Sequence, residues 1–390
     1  MRASAEASGR KGRSGGDAGP RWRPPFGRSP VEDRGGERAD GPGEPLTADF
    51  DYPLPEKLIA RHPARRRDGS RLLVLCRRTG ELSDKCFTDL PDYLRAGDAL
   101  VLNDTRVFPA RLRGRKPTGA AVEILLLRPF APEREDQRRW EALVRPGGKL
   151  KPGRIVEVAE GFAVRIEESI GDGGRVVRLL GEGDPWSLIE RHGRVPLPPY
   201  LGRESEETDR ERYQTVYATH TGSVAAPTAG LHFTRGMLTA LQNAGVRPVR
   251  VTLHVGPGTF RPVEAPTPSG HVLHPEWFRV TAAAAKALNE TRAAAGRVWA
   301  VGTTSARTLE TIVAPDGSFE AMEGWTRLFI HPPYRFRAVD GLLTNFHLPR
   351  SSLLMLVAAF AGTASVLAAY AHAVRQRYRF YSYGDAMLIT

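Results

Sequence analysis

The stretch Thr281–Thr304, TAAAAKALNETRAAAGRVWAVGTT, decides the fold. Its first part is rich in alanine, with leucine, lysine and glutamate among it, and stops at Gly296, the composition and ending of a helix. The apolar run RVWAV then reads as a short buried strand that ends in Gly302, Thr303 and Thr304. The same order occurs upstream, where TRGMLTALQNAG (234–245) precedes VRPVRVTLHVG (246–256). Repeated helix and strand predict an α/β domain with its active positions at the carboxyl ends of the strands.

Before Pro185 the pattern differs. The segments RLLVLCRR, FTDLPDYLRAGDALVLNDTRVFPARLRGRK and AVEILLLRPF are cut by Gly80, Gly97, Gly114, Gly119, Gly147, Gly148 and Gly153. Such close punctuation leaves no room for crossover helices and predicts a smaller β-barrel domain, placed at residues 71–180. Residues 1–46 hold ten glycines and six prolines without an apolar period and are expected to be a disordered extension.

The whole chain has 390 residues, 41% of them hydrophobic, enough for one large or two ordinary domains. Two cysteines, Cys76 and Cys86, exclude a disulfide-stapled fold and a four-cysteine zinc site. No opening stretch has the form of a secretory signal, and a cytoplasmic enzyme is expected. Leu353–Ala371 is nineteen residues long and carries no charge, and is read as a buried helix rather than a membrane span.

The formal charge is +12, and the first 46 residues, with nine basic and seven acidic side chains, account for little of it. The excess favours a polyanionic partner. Arg106, Arg111, Arg113, Arg115 and Lys116 fall in eleven positions with no acidic residue. The three central arginines share one face of an extended strand, either as an RNA-phosphate patch or as an ordinary solvated face with intramolecular ion pairs.

Several short motifs place polar residues just beyond apolar strands. NDTRV offers Asp104 to a ligand amine or hydroxyl and Arg106 to an anion. GSVAAPTAGLHFT allows close approach of a ligand at its small residues, and includes Thr228, Gly230 and His232. VTLHVGPGTF carries Thr252, His254, Gly256, Gly258 and Thr259, but its glycines fit neither a dinucleotide loop nor a P-loop. His274 with Glu276 suits proton transfer, and the histidine spacings do not suit a metal. Thr303, Thr304 and Arg307 stand at a helix start that attracts an anionic ligand end, and Asn345 and His347 occupy another element boundary.

Taken together, FDYPLPEKLIARHPA, LVLNDTRVFPARLRGRK, YQTVYATHTGSVAAPTAGLHFT, VTLHVGPGTF, HVLHPEWF, VGTTSARTLE, TNFHLPRSSLLMLVAAFAG and YRFYSYGDAMLI resemble the S-adenosylmethionine:tRNA ribosyltransferase-isomerase family of queuosine biosynthesis. They follow in order from about residue 49 to residue 389. Pro333, in HPPYRF, departs from the glycine expected there. The resemblance implies a large, discontinuous α/β domain, residues 47–70 and 181–390, with the smaller β-barrel domain inserted into it.

It also implies transfer and isomerisation of the ribosyl group of S-adenosylmethionine onto 7-aminomethyl-7-deazaguanine in tRNA with a GUN anticodon. The products are epoxyqueuosine-tRNA, adenine and methionine. S-adenosylmethionine is a co-substrate, with no prosthetic group, no metal and no membrane partner, and a monomer is expected. His232, His254 and His274 are the implied proton carriers, with Glu276 orienting them or sharing that work. Thr228, Gly230, Thr252, Gly256, Gly258, Thr259, Thr303, Thr304, Arg307, Asn345 and His347 are the implied cofactor pocket. Asp104, Arg106 and the Arg111–Lys116 run are assigned to the base or the RNA, and Asp385 to the deazaguanine amine or the cofactor's amino group. A noncatalytic RNA-binding protein and a methyltransferase are the competing classes; the first releases no adenine and the second yields S-adenosylhomocysteine.

Overall fold

The computed structural model describes residues 44–130, 137–171, 173–260 and 262–390. Most of the extension assigned to residues 1–46 lies outside them. Glu44, which is inside, accepts hydrogen bonds from the Ser269 backbone N–H and hydroxyl.

In chain order the strands are β1 (Arg71–Leu75), β2 (Leu82–Cys86), β3 (Ala99–Asn103) and β4 (Thr105–Val107). Then come β5 (Arg111–Arg115), β6 (Ala121–Pro129), β7 (Arg139–Arg145), β8 (Ile155–Ala159), β9 (Phe162–Ser169) and β10 (Gly174–Gly181). They are followed by β11 (His220–Ser223), β12 (Arg247–Leu253), β13 (Glu276–Val280), β14 (Val298–Val301), β15 (Met322–Thr326), β16 (Gly341–Asn345) and β17 (Ala386–Ile389). The helices are α1 (Pro185–His192), α2 (Asp209–Arg212), α3 (Arg235–Asn243), α4 (Ala282–Ala293), α5 (Thr303–Ile312), α6 (Ser352–Ala361) and α7 (Thr363–Arg375).

Nine strands form one sheet in the order β15-β13-β12-β3-β14-β16-β17-β1-β2. Its centre, β12, β3, β14 and β16, is parallel throughout, so four carboxyl ends emerge on one edge. The central strands are apolar in nearly every position because both faces are covered. Ala99, Val101, Val298 and Ala300 face a core shared with Leu288 of α4, Leu309 of α5 and Leu354 of α6. Their neighbours Leu100, Leu102, Trp299 and Val301 pack on the other face against Phe87, Phe233 and Leu241.

The strands β5–β10 close a separate barrel in the order β10-β7-β6-β5-β8-β9. Here the side chains alternate, with Leu112, Ile124, Leu126, Trp140, Val164 and Leu179 inside. Arg111, Arg113 and Arg115 share the outer face, as their spacing predicts.

The barrel begins later than the sequence suggested. Strands β1, β2 and β3, within the range 71–180, belong to the nine-stranded sheet, and the barrel runs from Arg111 to Gly181. The distinction is physical: LLVL and ALVLN are buried without alternation, as central α/β strands are, whereas AVEILLL alternates. Glycine spacing alone did not register it.

The uncharged run Leu353–Ala371 is divided between α6 and α7, which meet at Gly362 with a bend of 115°. No single helix among the described residues is long and apolar enough to cross a membrane. Nine of the ten residues of α6 are buried. Gly362 makes the turn at φ +86° with open space where a Cβ would stand. Gly362→Ala is therefore expected to cost about 1–2 kcal/mol by backbone strain alone, read as a lower urea midpoint at unchanged m-value.

Candidate active site

Two adjoining lobes open at the carboxyl edge of the parallel strands. Thr228, Thr259, Asn345, His347 and Leu353 line both. One lobe adds Tyr200, Phe346 and Tyr381, and the other adds Gly302, Thr303 and Thr304. Segments far apart in sequence thus converge: Gly302–Thr304 and Asn345–His347 follow β14 and β16 of the large sheet, and the Thr228 turn, which follows β11 of the two-stranded sheet, packs beside them.

Asn345, at the end of β16, is the hub of the cleft. Its Oδ1 accepts from the Thr228 hydroxyl at 2.8 Å, and its Nδ2 donates to Tyr381 O and to His232 Nε2, both at 3.3 Å. Since that nitrogen of His232 accepts, Nδ1 carries the proton and donates to Ser70 Oγ at 2.8 Å. Burial pushes the His232 imidazole down to about 4. Both of its nitrogens are thus engaged within the protein, and the ring supports Asn345 from beneath.

Thr228 and Gly230 lie on the short 3₁₀ turn Thr228–His232. A Cβ at Gly230 would stand 2.1 Å from the Tyr217 hydroxyl, which is buried. Gly230→Ala is expected to destabilise the chain by about 1–3 kcal/mol through overpacking and to displace Thr228. Calorimetry together with ligand titration checks both effects.

At the other lobe, α5 starts directly after Gly302, and no side chain among the described residues caps its first N–H groups. With the hydroxyls of Thr303 and Thr304 beside them, these groups suit a carboxylate. Arg307 lies one turn further along. Its Nη1 donates to Glu276 Oε2 at 2.6 Å, Nε donates to Leu328 O, and Nη2 is buried with no partner among the described residues. Glu276 Oε1 accepts from Gly256 N at 2.8 Å and from Thr259 Oγ1 at 2.7 Å. This ion pair therefore pins the Gly256–Thr259 loop, a wall of both lobes, to α5. The carboxylate assigned to proton transfer is fully engaged in that support.

A second polar cluster surrounds Asp104. Its Oδ1 accepts from Thr252 at 2.7 Å and lies 3.1 Å from His220 Nδ1, and its Oδ2 accepts from Thr219 at 3.1 Å. Asn103 ties this cluster to the cleft by donating to Thr304 Oγ1 and to Leu253 O. His254 bonds Thr105 Oγ1 at 2.8 Å and stacks on Trp277, and burial pushes it down to about 4. His274 is exposed beside Gly258.

Other expected residues are set apart from the cleft. Arg113 pairs with Glu204, Arg111 donates to Leu197 O, and Arg115 donates to Gly119 O. That run is an exposed strand face held partly by internal contacts, and Arg106 and Arg113 are exposed. Asp385 is buried and accepts from the main-chain N–H of Arg71 and Arg379, so it secures the starts of β1 and β17. Burial pushes its carboxyl upward.

Sequence reasoning missed Ser70, Asn103, Tyr200, His220, Thr344 and Tyr381. Asn103 was within reach, since it opens the NDTRV stretch at a strand end. Tyr200 and Ser70 lie in loops whose sequence carries no period.

A parallel α/β core with a polar cleft at its strand ends and a β-barrel set into the chain defines a two-part α/β enzyme. A family model described as "Queuosine biosynthesis protein" matches residues 47–389. The chain is 54% identical over 344 residues to the S-adenosylmethionine:tRNA ribosyltransferase-isomerase of Symbiobacterium thermophilum, covering 88% of this chain and 99% of that protein. It is 50% identical to the enzyme of the same name from Trichlorobacter lovleyi, with the same coverage. The chain belongs to the S-adenosylmethionine:tRNA ribosyltransferase-isomerase family. Among solved structures, the S-adenosylmethionine tRNA ribosyltransferase of Thermotoga maritima is similar with a TM-score of 0.50 and 39% identity, covering 88% of this chain and all of that one.

Proposed function

We propose that this protein transfers the ribosyl group of S-adenosylmethionine to 7-aminomethyl-7-deazaguanine at the wobble position of a tRNA and isomerises it. The products are epoxyqueuosine-tRNA, adenine and methionine. The observation that carries this reading is one cleft built from the GSVAAPTAGLHFT, VTLHVGPGTF, VGTTSARTLE and TNFHLPRSS stretches, in a chain matched to the family over residues 47–389.

The cleft chemistry fits S-adenosylmethionine. The methionine carboxylate goes to the uncapped start of α5 with Thr303 and Thr304, backed by Arg307. The adenine goes to the aromatic lobe of Tyr200, Phe346 and Tyr381, with Thr228, Thr259 and Asn345 as polar contacts. Thr252, Asp104 and His254 belong to the neighbouring polar cluster, tied to the cleft through Asn103 and Thr304, and Gly256 and Gly258 belong to the loop whose Thr259 lines both lobes.

The tRNA, of the GUN anticodon class, approaches across the exposed side chains of Arg106, Arg113 and Arg115 with Lys116 nearby. Their contribution is to phosphate affinity, which weakens as salt rises. The reaction belongs to the cytoplasm, and the chain acts as a monomer. Mass spectrometry of the purified protein with S-adenosylmethionine and 7-aminomethyl-7-deazaguanine tRNA tests this reading. Adenine, methionine and epoxyqueuosine-tRNA are expected. S-adenosylhomocysteine with methylated tRNA, or no turnover, would overturn it.

A further inference from the structure

Of the buried histidines at the carboxyl edge, His347 differs in what its ring faces. His232 has both nitrogens engaged by Ser70 and Asn345. His254 is held by Thr105 and lies flat on Trp277, and its Nε2 edge is so close to Gly222 that a Cβ there would come within 2.5 Å of it. His347 lines both lobes of the cleft. Its Nε2 is 2.7 Å from Thr344 Oγ1, and its Nδ1 has no hydrogen-bond partner among the described residues.

The residue is also fixed through its backbone. Its carbonyl accepts from the Tyr52 hydroxyl at 2.5 Å, and its N–H donates to the Tyr370 hydroxyl at 3.0 Å. Among the described residues, the others lining the two lobes are uncharged, with Tyr200 and Tyr381 their only other titratable groups. The ring is thus a rigidly held nitrogen base presented to an apolar, hydroxyl-lined space.

We propose that His347 is a catalytic residue of the reaction, with Nδ1 as the base that removes a proton from C5′ of S-adenosylmethionine; this rests on the function proposed above. In the step the C5′–H bond breaks and its electron pair remains on C5′ as a sulfonium ylide. Nδ1 gains the proton, and Nε2–H continues to donate to Thr344 Oγ1. The net charge in the cleft is conserved, because the ligand loses one positive charge as the imidazole gains one. Burial alone pushes His347 down to about 3, so in the free protein the ring is neutral at physiological pH and resists protonation, and it becomes a base only when bound ligand charge offsets that burial. That offset comes from the step itself, because the sulfonium becomes a net-neutral ylide as the imidazolium forms, and from the ligand carboxylate at the start of α5.

The test follows tritium from C5′-labelled S-adenosylmethionine into water, alongside adenine release, with acceptor tRNA present. His347→Gln keeps an amide within reach of Thr344 without a base, and His347→Ala opens a space that free imidazole can enter. Both variants are expected to lose about 10²- to 10⁴-fold in tritium release and adenine formation. The dissociation constant for S-adenosylmethionine is expected to stay within about threefold of the unaltered protein, and imidazole to restore at least about tenfold in His347→Ala.

Rates in His347→Gln within about threefold of the unaltered protein would overturn the assignment while leaving the proposed function standing. So would a loss explained wholly by weaker ligand binding, or a loss that imidazole fails to rescue. An unaltered protein that released neither tritium nor adenine would instead overturn the function itself.

Discussion

Glu276→Ala is expected to lower folding stability by about 3–5 kcal/mol, the typical cost of leaving one half of a buried ion pair without its partner. The side chains of Glu276 and Arg307 are only 5% and 6% exposed. Removing the carboxylate strands the Arg307 guanidinium, whose Nη2 already has no partner among the described residues, and releases Gly256 N and the Thr259 hydroxyl. The wall of the cleft would loosen with the pair, so ligand affinity should fall along with stability. Glu276→Gln keeps acceptors for Gly256 and Thr259 and is expected to retain more of both. Urea unfolding and ligand titration on the two variants give the comparison; a loss below about 1 kcal/mol in Glu276→Ala would show that the pair supports nothing.

The second large effect is an acid limb in stability between pH 6.5 and about 4. His232 and His254 are pushed down to about 4, and His347 to about 3, mainly by burial. In the unfolded chain each returns to its ordinary value near 6.5. Below that pH the unfolded state therefore binds protons that the folded state refuses, and stability falls as pH falls. Above pH 6.5 both states are neutral at these rings and the effect vanishes. Three such histidines give a slope approaching about 4 kcal/mol per pH unit in the steep part of the range. Urea unfolding at pH 7, 6 and 5 measures it. His254→Asn should remove close to one proton from the slope, and an unchanged slope in that variant would mean His254 is not held neutral by the fold.

The α/β part was legible because its strands and helices are adjacent and their periods are distinct. TAAAAKALNETRAAAG became α4, RVWAV became β14, and the threonines after it fell at the cleft. The start of the barrel was not legible. Strands β1 and β3 leave the same kind of glycine-cut pattern as barrel strands, and their unbroken burial and their pairing with β17, β12 and β14 assign them to the large sheet. A local pattern records length and polarity, whereas sheet membership is a contact between segments far apart.

The site divides along the same line. Thr228, Thr259, Thr303, Thr304, Asn345 and His347 were found together, since each lies in a polar stretch that follows an apolar run. Their roles were harder to read. Glu276 has the residue type of a proton carrier, yet its carboxylate is committed to Arg307, Gly256 and Thr259. Asp385 was assigned to the substrate and instead secures two strand starts. In both, the chemistry of the side chain was evident from the sequence, and its hydrogen-bond partners, which decide its availability, were not.

A crystal structure of the protein with S-adenosylmethionine bound tests the central claim most directly. The ligand is expected to span both lobes, with its carboxylate at the start of α5 beside Thr303 and Thr304, its adenine between Tyr200 and Tyr381, and C5′ against His347. Density for the ligand on the barrel, or anywhere that leaves Thr228, Asn345 and His347 untouched, would contradict it.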